Sequence, residues 1–187
     1  MRLVLIGPPG AGKGTQAELL AERLHAAHIS TGDLFRAHLR DRTPLGLQAQ
    51  RYMDAGELVP GDLTVGMVRQ RLSEVPTNGF ILDGFPRTPE QARALDSLLA
   101  ETSSWLDAVV ELVVPEEVLV QRLLARGRTD DVVAVIRRRQ QVYRDETRPL
   151  LDFYRAKLVS VDAVGPVESI TDRILAAVRV APAADSR

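Results

Sequence analysis

The sequence predicts an α/β domain in three layers, a buried parallel sheet with helices on both faces, and three observations predict it. Short apolar, β-branched runs at residues 3–6, 80–82, 108–114 and 158–161 lack the polar alternation of half-exposed strands. Helical patterns separate each run from the next, which is the βα alternation of a parallel sheet. A glycine-rich loop follows the first run directly and leads into the first helix. The length of 187 residues suits one compact domain with small inserts and leaves little room for two.

Taken in order, the run Leu3-Val4-Leu5-Ile6 ends in glycine with no small-residue cleavage pattern after it, so it reads as a strand rather than a signal peptide. The helix over 13–25 places Ala17, Leu20, Ala21 and Leu24 on one face. A short strand at 28–30 fits before Thr31-Gly32-Asp33 and makes the sheet five-stranded. Residues 30–59 read as helices with no strand of their own, a small helical insert. Asp62 is expected to N-cap a helix carrying Val65, Val68, Arg69 and Leu72. Pro89 sits in the first turn of a helix over 90–99. Pro115 followed by Glu116 and Glu117 opens the next helix, with acids at the positive end of its dipole and Arg126-Gly127 at its close. A polar loop rich in Arg and Asp follows at 126–131, and the Pro, Ala, Asp and Ser residues at 181–187 are expected to fray.

The charge balance excludes several classes of function. Lys plus Arg is 24 against 25 Asp plus Glu, which rules out the global basic excess of a sequence-independent nucleic-acid binder and the polybasic surface of a membrane-attached protein. No segment approaches the roughly 20 apolar residues of a membrane span, so a soluble cytoplasmic protein with no membrane or nucleic-acid partner is expected. The absence of cysteine excludes a disulfide framework, a thiolate nucleophile and any zinc site with Cys ligands. His25, His28 and His38 lack the spacing and carboxylate partner of a metal motif and read as exposed helix-end residues. Any basic site is therefore local, and only two lysines, Lys13 and Lys157, stand beside 22 arginines. Arginine gives phosphate planar, bidentate donors, whereas lysine gives a compact point charge.

Lys13 sits in that glycine-rich loop. Gly7-Pro8-Pro9-Gly10-Ala11-Gly12-Lys13-Gly14-Thr15 matches G-x-x-x-x-G-K-[ST], with Gly14 at the hydroxyl position and the hydroxyl moved one residue on to Thr15. Successive backbone N–H groups in such a turn make a concave anion site, and the following helix adds about half a positive charge at its N-terminus. Gly10, Ala11, Gly12, Lys13, Gly14 and Thr15 are the nucleotide-binding candidates, with Lys13 directed to the β and γ phosphates. The loop predicts nucleoside triphosphate binding and leaves open an enzyme, a GTP switch or a motor.

Four segments narrow this. GPPGAGKGT at 7–15, STGDLFR at 30–36, DGFPRTPEQ at 83–91 and RLLARGRTDD at 122–131, in that order, resemble the adenylate kinase family in its short-lid form, over residues 1 to about 178. The resemblance implies a P-loop core (1–29, 60–125 and 133–187), an NMP-binding helical insert (30–59) and a short lid (126–132). It implies a monomeric phosphotransferase that carries out reversible, Mg²⁺-dependent transfer from ATP to AMP, giving two ADP. Catalytic roles fall by resemblance on Lys13, Arg87, Arg126, Arg128 and Arg139, and further ATP contacts on Arg122, Arg126 and Gly165. AMP contacts fall on Thr31, Arg36, Glu57, Leu58, Val59, Gly84, Phe85, Pro86, Arg87, Gln91, Arg128 and Arg139, and Mg²⁺ held through water on Thr15 and Asp83. The short loop without cysteine excludes a zinc-supported lid, and Val132-Val133-Ala134 stand where short-lid relatives often carry acids.

The residues support the same chemistry independently. Phosphoryl transfer between two nucleotides asks the protein mainly to neutralise and align facing phosphates, and several converging arginines do that. The acceptor is already an anionic phosphate oxygen, which accounts for the absence of an evident general base. Arg87 follows the strand end Phe80-Ile81-Leu82-Asp83, and strand C-termini are where open α/β sheets place ligands. Arg137 and Arg138, by contrast, read as solvated charges on an outer face. Gln91, four residues after Arg87, can both donate to and accept from an adenine edge, and related pyrimidine monophosphate kinases typically carry Asn there. A UMP/CMP kinase and a P-loop switch are the competing readings. Closure of the insert and the lid over the core is expected, since water admitted beside ATP competes with AMP.

Overall fold

The computed structural model describes residues 1–75, 79–127 and 132–180, apart from the side chain of Arg126. Residues 128–131 of the polar loop expected at 126–131, and the tail at 181–187, lie outside the described residues. The five strands are β1 (Arg2–Ile6), β2 (Ala27–Ser30), β3 (Phe80–Asp83), β4 (Ala108–Val113) and β5 (Leu158–Asp162), all parallel, in the order β2-β3-β1-β4-β5. Central β1 pairs Leu3 with Ile81 on one side and with Ala108 on the other. The chain runs from β1 to one side of the sheet for β2 and β3, then returns across it for β4, so the switch in strand order falls beside β1. That crevice, outside the strand C-termini, is where such sheets bind ligands.

The apolar runs lack alternation because both faces are covered. Leu3 and Leu5 pack into one cluster with Ala17 and Leu20 of α1 (Lys13–Leu24) and Ile170 and Ile174 of α9 (Val167–Val180). Val4 and Ile6 point the other way, into a cluster with Val68 of α4 (Gly61–Glu74), Leu95 of α5 (Pro89–Ala100) and Leu150 of α8 (Leu150–Phe153). These side chains are almost wholly buried, and burial of each apart from Ala17 stabilises the fold by about 1.5–3 kcal/mol. Residues 30–59 form α2 (Thr31–Arg40) and α3 (Pro44–Ala55), with Ser30 Oγ accepting from Asp33 N–H at 3.2 Å and Thr43 Oγ1 from Gly46 N–H at 3.1 Å as their N-caps. Phe35 of α2 and Ala49 of α3 share a small cluster with Val59 and with Met67 of α4. The remaining helices are α6 (Glu116–Arg126) and α7 (Val133–Val142), and α7 continues into a π-helical turn at Tyr143–Thr147.

Three local expectations change. Pro60, not Asp62, occupies the N-cap of α4, and no side chain caps it; Asp62 lies in the first turn, where its carboxylate meets the helix dipole without bonding a free N–H. Thr88 caps α5, accepting from Gln91 N–H at 3.3 Å, and Pro89 follows in the first turn as expected. His28 is not at a helix end: it belongs to β2, with its Nε2 buried. Among the described residues no helix is long and apolar enough to cross a membrane, and no cluster of three His, Cys, Asp or Glu side chains could hold a metal ion.

Candidate active site

A cleft of about 720 Å³ opens over the C-terminal ends of β1 and β3. Its walls come from the glycine-rich loop, α2, the stretch after α3, the turn after β3, α7 and the β5–α9 connection.

The loop side is organised around its own carbonyls. Lys13 Nζ folds over the loop and donates to Gly7 O at 2.7 Å and Pro8 O at 3.1 Å. Gln140 Nε2, from α7, donates to Pro9 O at 3.1 Å, and Arg122 Nη1, from α6, reaches Ala11 O at 3.5 Å. These carbonyls are occupied by side chains, so the amide donors are what the loop offers to an anion. Gly12 stands at the N-cap of α1 with φ +92°, and no side chain caps the helix. The first-turn N–H groups of α1 therefore keep the capacity of an uncapped helix N-terminus for an anion. Thr15 is exposed in the cleft wall. Asp83 ends β3 beside it, and a Cβ added at Gly14 would lie 3.5 Å from Asp83 Oδ2.

Arginines gather on the opposite side. Arg87 donates from Nε to Gly84 O at 2.8 Å and from its backbone N–H to Gln91 Oε1 at 2.8 Å. Its guanidinium pKa is pushed below the ordinary arginine value, chiefly by burial; Asp83 opposes this, while Arg139 and Arg36 push the same way. Two arginines from two other elements thus act on the Arg87 cation, and a bound phosphate would offset both the repulsion and the lost hydration. Arg36 is held by Asp33 on its own helix. Thr31, buried at the start of α2, donates to the same Gly84 carbonyl at 2.9 Å, which ties the insert to the turn after β3.

Around this cluster lie the groups suited to a base. Phe35, Met53, Leu58 and Val59 line the cleft with apolar surface, and the buried Thr64 hydroxyl is turned to Pro60 O at 3.1 Å. Gln91 is buried, and its carbonyl oxygen is already committed to Arg87 N–H, which fixes the amide orientation and leaves Nε2 as the donor half. The cleft also takes in Gly84, Pro86, Gly165 and the segment Glu57, Leu58 and Val59. Phe85 differs: its side chain is wholly buried in the core, so only its backbone lies along the turn. Tyr143 lines the cleft, but its pKa is pushed up to about 12 by burial and the nearby Glu111, with Arg148 opposing, so it is neutral near pH 7 and unsuited to act as a base there.

Of the expected residues, Lys13, Thr15, Thr31, Arg36, Asp83, Arg87, Gln91, Arg122, Arg139 and Gly165 come together in the walls of one cleft. Arg128 and the side chain of Arg126 lie outside the described residues. Arg122 is engaged on two sides, bonding Ala163 O at 3.0 Å as well as Ala11 O. Arg137 is exposed, as expected, but Arg138 is not a purely solvated charge: its Nη2 lies 3.0 Å from Glu57 Oε1, bridging α7 to the end of the insert. Both side chains are about half exposed (48% and 46%), so the pair contributes at most about 1 kcal/mol. The sequence reading missed Gln16, Gln140 and Thr171, buried polar side chains that brace the loops around the cleft. The only cue to Gln16 is its place directly after Thr15, and to Gln140 its place after Arg139.

Comparison with known proteins agrees with this geometry. A family model described as adenylate kinase matches residues 5–159. The chain is 58% identical over 178 residues to an adenylate kinase of Nocardia farcinica, covering 95% of this chain and 98% of that protein. Adenylate kinases of Rhodococcus erythropolis and Mycolicibacterium smegmatis are similar at 57% and 55% identity, with the same coverage. The chain belongs to the adenylate kinase family. The resemblance read from the four motifs is therefore borne out, as is the α/β fold with its five-stranded parallel sheet. The adenylate kinase match runs from within β1 into β5 and so takes in every strand that carries a wall of the cleft.

Proposed function

We infer that the protein transfers the γ-phosphoryl group of ATP to AMP, reversibly, giving two ADP. The observation that carries this reading is the pairing of two anion sites in one cleft, the uncapped loop–helix turn on one side and the Arg36, Arg87 and Arg139 group on the other. A triphosphate held by the loop and a monophosphate held by the arginines would meet between them. A phosphate oxygen of AMP attacks the γ-phosphorus, the bond to the bridging oxygen of ADP breaks, and both nucleotides leave as ADP with no net proton required of a side chain. Lys13 is assigned to the donor phosphates, and Arg87 and Arg139 to the group in flight, where bidentate donors give alignment as well as charge. Arg126 and Arg128 are assigned beside them by family resemblance.

Mg²⁺ fits the residues at the mouth of the loop. One carboxylate, Asp83, and one hydroxyl, Thr15, close to the end of the phosphate loop are the sparse donor set of an ion that keeps its waters and takes substrate oxygens, rather than of an all-protein cage. When bound, it would neutralise phosphate charge. The remaining roles belong to the chain: Gln91 Nε2 donates to a ring nitrogen of the acceptor base, Thr64 turns its hydroxyl away, and the apolar wall of Phe35, Met53 and Val59 excludes water. We propose the division into core (1–29, 60–125 and 133–187), insert (30–59) and lid (126–132), with a monomer as the working unit; the contact of α2 with α3 in a cluster apart from the two that cover the sheet, joined to the core through Met67 of α4, supports the insert.

The reading is tested by supplying ADP and Mg²⁺ alone. ATP and AMP are expected to appear in equal amounts; release of inorganic phosphate in their place would refute it and favour a slow triphosphate switch.

A further inference from the structure

The donor side of the cleft is built from two loops of distant origin, the phosphate loop at 7–12 and the β5–α9 connection at 163–166. Gly165, together with Val167 and Ile170, lines the cleft from beyond β5, at the sheet edge opposite the β2 and β3 side that carries Arg36 and Arg87. The connection is tied to the phosphate loop's own supports at both ends. At its start, Arg122 bonds Ala163 O at 3.0 Å while also reaching Ala11 O. At its end, Gln16, in the first turn of α1, donates from Nε2 to Val167 O at 3.0 Å and accepts at Oε1 from Thr171 Oγ1 at 2.8 Å. Gln16 is 2% exposed and Thr171 is fully buried, so water does not stand in for either bond. Asp162 and Arg173 close the connection on itself, through Val164 N–H at 3.0 Å and Val164 O at 2.7 Å.

We infer that Gln16 and Thr171 are positioning residues that set the wall at Gly165 relative to the phosphate loop, and so match the donor site to a ligand carrying both a triphosphate and a nucleoside. This rests on the donor assignment made under Proposed function. The pair joins the helix that follows the phosphate loop to the helix that follows the β5 connection across 155 residues of sequence. A neutral, mutually satisfied amide–hydroxyl pair fixes such a joint without burying a charge. A ligand that bridges both loops depends on their relative placement; one that occupies only the phosphate loop does not.

Gln16→Met tests this, because it is close in volume and leaves no buried orphan: Thr171 Oγ1 keeps Val167 O, 3.2 Å away, as its acceptor. Losing the joint is expected to raise KM for ATP about tenfold, while kcat and KM for AMP stay within about twofold. Competitive inhibition by inorganic tripolyphosphate, which has no nucleoside, is expected to be unchanged. Thr171→Val is expected to give the same split, and Thr171→Ser, which keeps the donor, to restore the parent values. An unchanged KM for ATP in a folded Gln16→Met protein, or equal weakening of ATP and tripolyphosphate, would overturn the inference. If the unaltered chain transferred nothing to AMP, the functional reading would fall, and direct binding of ATP against tripolyphosphate to the same variants would still decide the role of the pair.

Discussion

Arg87→Ala is expected to slow phosphoryl transfer by roughly two to three orders of magnitude, about 2.7–4 kcal/mol in the barrier, while ATP binding changes by no more than about threefold. Burial and the fields of Arg139 and Arg36 disfavour the Arg87 cation and Asp83 offsets this only in part, so an anion bound in the cleft would recover the rest. Its bonds go to Gly84 O and to Gln91 Oε1 rather than to the phosphate loop, so ATP bound on Lys13 and α1 would not register its loss. The turn after β3 should survive the change, since Thr31 still donates to Gly84 O and the backbone N–H of residue 87 still meets Gln91. Arg87→Lys is not expected to rescue transfer, because an ammonium cannot reproduce the planar fork. Equal losses of ATP binding and transfer, measured by calorimetry and initial rates, would contradict the assigned role.

The second large effect concerns two glycines of the phosphate loop with similar backbone angles and opposite surroundings. Gly10 has φ +88°, and a Cβ there would lie 2.7 Å from Leu119 O and 3.1 Å from Leu123 Cγ of α6. The carbonyl is helix backbone and cannot turn aside, so Gly10→Ala must push the loop off α6. Left-handed strain of about 1–2 kcal/mol and overpacking of about 1–3 kcal/mol together predict a fall in Tm of roughly 5–15 °C. Gly12 has φ +92° but nothing within 4 Å of an added Cβ. Gly12→Ala carries only the strain, so its Tm should fall less, by roughly 2–8 °C. Because Gly12 lines the cleft, the added methyl is expected to cost ATP affinity directly. Thermal melts of both variants, with and without ATP, check this; a larger loss of unliganded stability at Gly12 than at Gly10 would contradict the packing described.

How much of this was legible in the sequence depends on how local each feature is. The strands were legible because burial on both faces leaves an unbroken apolar run, with Leu3 and Leu5 serving one layer and Val4 and Ile6 the other. The phosphate loop was legible because its nine residues are contiguous and the strand and helix that flank it are easily read. The acceptor side was not derivable from spacing: Arg36, Arg87 and Arg139 come from α2, the turn after β3 and α7, and only the family resemblance joined them in advance. Helix starts were less certain, as Pro60 shows by taking the cap position expected of Asp62. The bracing residues left almost no trace. Glutamine is an ordinary helix former, so Gln16 and Gln140 look like surface positions until the fold buries them against loops 151 and 131 residues away. Arg138 misled in the opposite direction, since nothing in Arg137-Arg138-Arg139 tells which of three adjacent arginines faces Glu57 and which faces the cleft.

Gln91 bears most directly on which nucleotide accepts the phosphate. With one lone pair of Oε1 held by Arg87 N–H, its amide is fixed in orientation with Nε2 as a donor and a second lone pair on Oε1 as an acceptor, a pairing that the adjacent ring-nitrogen acceptor and amino donor of the adenine edge can meet. Transfer to AMP is therefore tested by supplying ATP and Mg²⁺ with AMP, GMP, UMP, CMP or no acceptor in parallel and following ADP. Rapid ADP formation with AMP, far slower formation with the other three and almost none without an acceptor is the predicted result. ADP produced at the same rate whether or not AMP is present, or preferential transfer to UMP or CMP, would contradict it.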